Sequence, residues 1–264
     1  MLCRACGFGY SGQEPNTDEL RDYYGHYTMI RDLSPITAKR YDELLASFAP
    51  YRRSGRLLEV GAGGGLFLDR ARSAGWQCHG TEYDPAIVAE CRARGLIMHD
   101  GALPDHPWES GSFDVVVSFE VVEHLPRPMD DLRAMVDLLR PGGVLYITTP
   151  NFNSISKLLA YGKWTIVNYP EHISFFNPSN MHRALTSLGM RRIWVRTTGI
   201  SLSRFRISHG MGTATTTATR NDEQLRRTIE SRPMLRSLKK FIDGILNVTG
   251  KGDSLKVLYE KPVQ

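Results

Sequence analysis

Leu57-Leu58-Glu59-Val60-Gly61-Ala62-Gly63-Gly64-Gly65-Leu66-Phe67-Leu68 passes from one apolar run to another through five residues, four of them glycine. Such a stretch reads as strand, tight turn and helix. The glycines let the chain turn sharply and let a ligand approach the backbone. Outward from this turn, short β-branched or apolar runs alternate with helix-patterned stretches. The pattern predicts strands over 56–60, 77–81, 96–99, 113–118, 144–149, 192–198 and 254–260. Helices are expected over 65–74, 85–94, 129–139 and 178–188, the last with Asn177 as N-cap and Gly189 just past its end. This alternation predicts an α/β fold, a doubly wound sheet with helices on both faces.

Glu82 falls at the end of the second expected strand, 21 residues after Gly61. That spacing suits a carboxylate accepting hydrogen bonds from ribose hydroxyls. Two cofactors share this pattern, a nicotinamide dinucleotide and S-adenosylmethionine. The dinucleotide fingerprint wants Gly or Ala three residues after its second glycine, and position 66 is Leu. S-adenosylmethionine has no pyrophosphate to place on a helix N-terminus. It needs a backbone turn beside its methionine end and a carboxylate for its ribose.

The 264 residues, 41% hydrophobic and 23% charged, suffice for one large domain with a real core or for two small ones. They exclude a wholly disordered chain, a collagen-like repeat and a disulfide-stapled miniprotein. No apolar run approaches the ~18 residues of a membrane helix. Four cysteines and no export signal make a reducing cytoplasm the expected compartment. Charge is uneven: residues 1–190 carry a net −4 and residues 191–264 a net +9. A basic C-terminal quarter suits an anionic partner or simply a solvated helix.

Four further segments extend the pattern. They are Asp100-Gly101-Ala102-Leu103, Ser112-Phe113-Asp114-Val115-Val116-Val117, Phe119-Glu120-Val121-Val122-Glu123-His124-Leu125 and Leu139-Arg140-Pro141-Gly142-Gly143-Val144-Leu145. With Glu59 and Gly61-x-Gly63-x-Gly65, they resemble class I S-adenosylmethionine-dependent methyltransferases in order and spacing. Within that class they resemble the ubiquinone-biosynthesis O-methyltransferase-like branch. The resemblance covers about residues 40–200 and the final strand. It implies a Rossmann-like, doubly wound, seven-stranded sheet with the last strand antiparallel. A helical N-terminal segment and a C-terminal helical insertion would flank it. It implies S-adenosylmethionine as cofactor, with Glu59, Gly61, Ala62, Gly63 and Gly65 around the methionine part and Glu82 on the ribose. Tyr83 would pack on the adenine, Asp100, Gly101 and Ala102 would line its pocket, and Phe119 would lie beneath the sulfonium.

If 119–125 begins a helix, Glu120, Glu123 and His124 stand at i, i+3 and i+4 on one face. Two carboxylates and an imidazole there make three legs of a site for Mg²⁺ or another divalent cation, with His172 as the fourth. The same arrangement resembles the metal sites of ubiquinone O-methyltransferases and of small-RNA 2′-O-methyltransferases. Three roles stay open: metal-assisted catalysis, His124 or His172 as a simple general base, and a packed structural histidine.

Organisation follows from these assignments. Residues 1–15 hold Cys3-Arg4-Ala5-Cys6-Gly7, half of a zinc-ribbon signature, and are expected to bind no metal. Residues 16–54 read as a helical cap in which Tyr23, Tyr24 and Tyr27 cover the cofactor or pack the leading helix. The core spans 55–200, with an aromatic lid over about 151–177. Residues 201–253 form a basic insertion ending in an amphipathic helix around 232–246, and 254–264 hold the final strand. That helix is expected to pack its apolar stripe on the domain, with peripheral membrane contact as the other use. The expected activity is O-methylation of a small-molecule, glycan or lipid-linked acceptor. Nucleic acid fits less well, because the basic stretch lacks interleaved aromatics. A non-catalytic cofactor-binding module acting through the insertion and a nicotinamide oxidoreductase are the alternatives. Oligomeric state stays open.

Overall fold

Seven strands form one sheet, whose central strands are largely buried while the two edge strands are mostly exposed or half-buried. The seven are β2 (Arg56–Val60), β3 (Gln77–Glu82), β4 (Ile97–Asp100), β5 (Phe113–Phe119), β6 (Leu139–Pro150), β8 (Arg191–Thr198) and β9 (Ser254–Glu260). The structure is a computed structural model and describes residues 1–16, 19, 33–160, 164–200, 228 and 232–263. Six of the seven residues of β5 are buried, as expected of a central parallel strand covered on both faces. The strand order is β4-β3-β2-β5-β6-β9-β8. Pairs among β2 to β6 are parallel, and β9 runs antiparallel to both β6 and β8. The last strand is therefore the one reversed strand of a Rossmann-like sheet.

Alternate residues along each strand feed opposite cores. On one face Leu57, Val115, Val117 and Tyr146 pack with Phe48 of α1 (Pro35–Phe48), Phe67 of α2 (Leu66–Ser73) and Val88 of α3 (Pro85–Ala93). On the other, Leu58, Val116, Leu145 and Ile147 pack with Leu132 of α4 (Pro128–Leu138) and Met181 of α6 (Pro178–Ser187). Local chemistry sets the helix starts. The Asp84 side chain accepts from the N–H groups of Ala86 and Ile87 ahead of Pro85. Asn177 and Asn180 form a reciprocal capping box, so Asn177 is the expected N-cap.

Strand order reverses between β2 and β5: connections run outward from β2 to β4 on one side and from β5 to β6 on the other. Ligands of such sheets bind in the crevice at the carboxyl ends of the strands at this switch point. Gly61 follows β2 there, and Glu120 follows β5.

Two regions depart from the sequence expectation. Residues 1–15 are not wholly irregular. Strand β1 (Gly9–Tyr10) pairs antiparallel with β7 (Ser174–Phe175), and Phe8 meets Phe176 edge-on at 4.9 Å. Two residues are too short to leave a periodic signal. The lid region also contains the short helix α5 (Ile155–Leu159). Helix α7 (Pro233–Thr249) is anchored by polar contacts: Gly199 N–H donates to Asp243 and Thr197 N–H to Asn247. Of its apolar residues only Leu246 is buried, while Met234, Phe241 and Val248 are exposed. The described residues thus leave uncovered the stripe that was expected to pack. Most of 201–231 lies outside the described residues, as do Tyr23, Tyr24 and Tyr27. Among the described residues no helix is long and apolar enough to cross a membrane.

Candidate active site

The glycine turn leaves β2 with Gly61, Gly63 and Gly65 at φ of 68°, 49° and 70°, a backbone region that side chains other than glycine's rarely adopt. It is fastened to β3. Gly61 N–H donates to Thr81 Oγ1, Ala62 N–H to the Thr81 carbonyl, and Gly63 N–H to Glu82 Oε2 at 2.8 Å. The other Glu82 oxygen accepts from Tyr83 N–H at 2.7 Å. From below, Arg94 donates to the Gly64 carbonyl and pairs with Asp69. Sequence reasoning missed Thr81, Asp69 and Arg94, because only the folded chain brings them to the turn. Asp100 pairs in register with Glu82, and Gly101 N–H donates to the Glu82 carbonyl at 3.1 Å. Asp100 and Gly101, two of the three residues expected at the adenine, therefore lie beside Glu82. Tyr83 stands exposed next to Glu82. Phe119 packs against Phe67 at 4.9 Å and near Tyr41 at 5.8 Å.

Glu59 is buried, and its Oε2 has no hydrogen-bond partner. Burial, and then the nearby Glu82 charge, push its carboxyl well above the usual range, against a hydrogen bond from the Leu68 N–H. A cationic group arriving beside the turn would satisfy that oxygen. The α-ammonium of S-adenosylmethionine has that chemistry, so the turn, Glu59 and Glu82 fit the cofactor.

The segment after β5 is a turn and not the expected helix. Glu120 adopts φ 52° and acts electrostatically on Tyr146 and Lys256. Of the four expected metal legs the structure groups three: ligand atoms of Glu123, His124 and His172 lie within 4.8 Å of one another, and Glu120 is outside the group. Two chain segments make this cluster. The Glu123 carbonyl accepts from the N–H groups of Ile173 and Ser174, clamping the turn to the lid, and Thr149 Oγ1 donates to Glu123 Oε2 at 2.9 Å. His124 Nδ1–H donates to the Glu171 carbonyl and His172 Nδ1–H to the Ile166 carbonyl, each at 2.8 Å. These bonds fix each ring's orientation. Burial first, then the His172 ring beside it, lower the His124 pKa to about 4.

His79, buried on β3, is lowered to about 4 by burial and by Arg56. Both histidines therefore take up protons in the unfolded chain before the folded one. The stability they contribute is whole above about pH 6.5 and drains away as pH falls towards 4. Thermal melts should show Tm falling over that window, and less steeply in His124→Gln. An unchanged slope in the variant would refute this origin.

At the N-terminus Gly7 N–H donates to the Cys3 carbonyl across the Cys3–Cys6 turn. No third possible metal ligand joins Cys3 and Cys6 among the described residues. A cleft of about 380 Å³ lies beside β1, lined by Phe8, Tyr10, Pro126, Pro128 and Ile173. Its lining does not include the glycine turn.

A family model described as a methyltransferase domain matches residues 29–233. The chain belongs to that family. It is an S-adenosylmethionine-dependent methyltransferase. A Mycolicibacterium smegmatis protein named for S-adenosylmethionine-dependent methyl transfer is 33% identical over 153 residues. That match covers 57% of this chain and only 58% of the relative. A ubiquinone biosynthesis O-methyltransferase of Xanthomonas axonopodis pv. citri is 30% identical over 192 residues, covering 69% of this chain and 75% of that one. Among solved structures, an S-adenosylmethionine-dependent methyltransferase of Archaeoglobus fulgidus superposes with a TM-score of 0.56 at 17% identity, covering 85% of this chain and 94% of that one. The [4+2]-cyclase SpnF superposes at 0.61, also at 17% identity, covering 97% and 99%. At such identities the likeness is one of fold. The family assignment of this methyltransferase rests on the domain match.

Proposed function

We propose that this methyltransferase moves the methyl group of S-adenosylmethionine to an acceptor hydroxyl, using a divalent cation held by Glu123, His124 and His172. The observation that carries the reading is the pair of Nδ1–H bonds to backbone carbonyls. They would leave Nε2 of each imidazole as the ring nitrogen for a metal, beside a carboxylate that Thr149 orients. Two imidazoles and one carboxylate suit Mn²⁺, Co²⁺ or Zn²⁺ better than Mg²⁺, which prefers oxygen. Relatives named ubiquinone biosynthesis O-methyltransferase support an oxygen acceptor. A phenolic, glycan or lipid-linked hydroxyl all fit.

The sulfonium is already an activated donor, so the protein's task is to position the acceptor and deprotonate it. A bound cation would stabilise the acceptor oxyanion as a Lewis acid. The glycine turn, Glu59 and Glu82 would hold the cofactor, and Phe119 would floor its sulfonium. His124 acting alone as a base is the weaker reading: with a pKa of about 4 it is neutral at pH 7 but has little proton affinity.

Mn²⁺ titration followed by electron paramagnetic resonance should give one ion per chain. His172→Ala should weaken that affinity by about 100-fold. Chelator should abolish methyl transfer to a panel of catechols and sugar hydroxyls, and Mn²⁺ should restore it. Full transfer after exhaustive chelation would leave the O-methyltransferase reading and remove the cation from it.

A further inference from the structure

Helix α7 is held to the domain largely by polar groups. Gly199 N–H donates to Asp243 at 2.9 Å, Thr197 N–H to Asn247 at 3.1 Å, and Thr197 Oγ1 to the Leu246 carbonyl at 2.7 Å. Lys239 pairs with Asp243 at 2.5 Å. The apolar side faces out instead: Met234, Leu238, Phe241, Ile245 and Val248 are 79, 53, 67, 50 and 88% exposed. A surface helix ordinarily turns that side to its own core, and a contiguous apolar stripe left outside marks an interaction surface.

The five residues follow one another at spacings of four, three, four and three. That alternation is the seam at which one helix receives another, the side chains of each filling gaps between those of its partner. The borders of the seam suit the same use. Leu235, Ile242 and Thr249 lie along one side and Ser237 and Gly244 along the other, none of them charged. A Cβ added at Gly244 would meet nothing within 4 Å, so a second backbone can come close there. Arg236, Lys239, Lys240 and Asp243, the charged residues of the helix, all fall outside the seam and its borders. A helix made for lipid headgroups would carry lysine and arginine along the rim of its stripe, with their stems on the apolar surface. A seam with uncharged borders is instead complementary to a copy of itself, because pairing brings no like charges together.

We infer that two copies of this chain associate through α7, the helices packed antiparallel about a two-fold axis at Phe241. The contact is then isologous, with one patch used twice. Phe241 meets its own copy, Leu238 of each chain meets Ile245 of the other, and Met234 meets Val248. With Ile242 beside them and about 100 Å² of apolar surface per side chain, the pair covers roughly 1,000 Å², the size at which specific interfaces begin. A reversible dimer of micromolar strength is expected. The end of the helix adjoins the lid: Asn151 Nδ2 donates to the Gly250 carbonyl at 3.0 Å, and Ile155 N–H to the Lys251 carbonyl at 2.9 Å. The inference does not depend on which acceptor is methylated.

Sedimentation velocity of the full chain, from submicromolar to high-micromolar concentration, should show a monomer–dimer equilibrium. Phe241→Glu puts two like charges on the axis and should weaken it by at least about 100-fold. Arg236→Glu, outside the seam, should change it by no more than about threefold. At submicromolar concentration both variants should keep the wild-type Tm and S-adenosylmethionine affinity, because both side chains are exposed in the monomer. On a Cys3→Ser/Cys6→Ser background, Phe241→Cys should cross-link into a dimer with copper phenanthroline as oxidant. Met234→Cys should not, because its site faces Val248 of the other copy. A monomer at every concentration, a dimer that Phe241→Glu leaves intact, or cross-linking by Met234→Cys would overturn the inference. So would a monomer that sediments with phosphatidylglycerol vesicles and loses them in Phe241→Glu, which would assign the stripe to a lipid surface.

Discussion

Gly61→Ala should weaken S-adenosylmethionine binding by about 100-fold and slow methyl transfer even at saturating cofactor. Gly61 has φ 68°, and a Cβ placed on it would stand 2.5 Å from Val121 Cγ2. The first fact strains the turn itself. The second carries the damage further, because Val121 lies two residues before Glu123 in the turn that presents the imidazole–carboxylate cluster. Moving Val121 shifts that turn against its clamp on the lid, where the Glu123 carbonyl accepts from Ile173 and Ser174. Binding and catalysis should therefore fall together. The double variant Gly61→Ala/Val121→Ala separates the two causes. It removes the clash and leaves the φ, so it should recover catalysis at saturating cofactor more than it recovers affinity. Calorimetric titration with S-adenosylmethionine, with single-turnover transfer beside it, reads both quantities. Affinity within threefold of wild type in Gly61→Ala would show that the turn does not face the cofactor.

The turn and the carboxylate after it were legible because their chemistry is local. Strands β2 and β9 fall where β-branched and apolar runs place them, and Asn177 caps its helix because its partners are two and three residues away. The cluster was legible in composition and not in shape. The i, i+3 and i+4 spacing of Glu120, Glu123 and His124 suggested a helix face, yet Pro126 and Pro128 follow at once. Proline restricts the residue before it away from helical backbone, and α4 starts afresh with Pro128 in its first turn. Those prolines were the available signal that 119–125 would be a turn. The partnership with His172 came from the family resemblance, since nothing local joins residues 48 apart. The carbonyls of Glu171 and Ile166 that orient both rings carry no side-chain signature at all. The β1–β7 pair was hidden for the same reason: it exists only in the register of strands distant in sequence.

Asp114→Ala should lower stability by about 3–5 kcal/mol, and Tm by roughly 10 °C, with little change in cofactor affinity. Asp114 is fully buried at the start of β5, at the sheet edge opposite the site. One of its oxygens accepts from the N–H groups of Arg53 and Gly55 at 2.8 and 2.7 Å, and the other from Arg140 Nε. Arg140 in turn donates to the carbonyls of Tyr51 and Pro141. One carboxylate thus ties the entry to β2, the core strand β5 and the entry to β6. Its removal strands a largely buried guanidinium and two backbone donors, which costs far more than the pair contributes net. Asp114→Asn keeps the shape and one acceptor, so it should lose less. The pH dependence gives a second readout. Burial works to raise the Asp114 pKa, but Arg140 and the two N–H groups outweigh it and hold the carboxyl below its ordinary 3.8. Its contribution is therefore whole above about pH 4 and lost only as pH falls through the lower folded value. The histidine contribution is already gone by then. Wild-type Tm should fall in two stages, and Asp114→Asn should flatten only the lower one. A variant that lost the upper stage, or that weakened S-adenosylmethionine binding tenfold, would mean that Asp114 is coupled to the site and is not a tie at the far edge of the sheet.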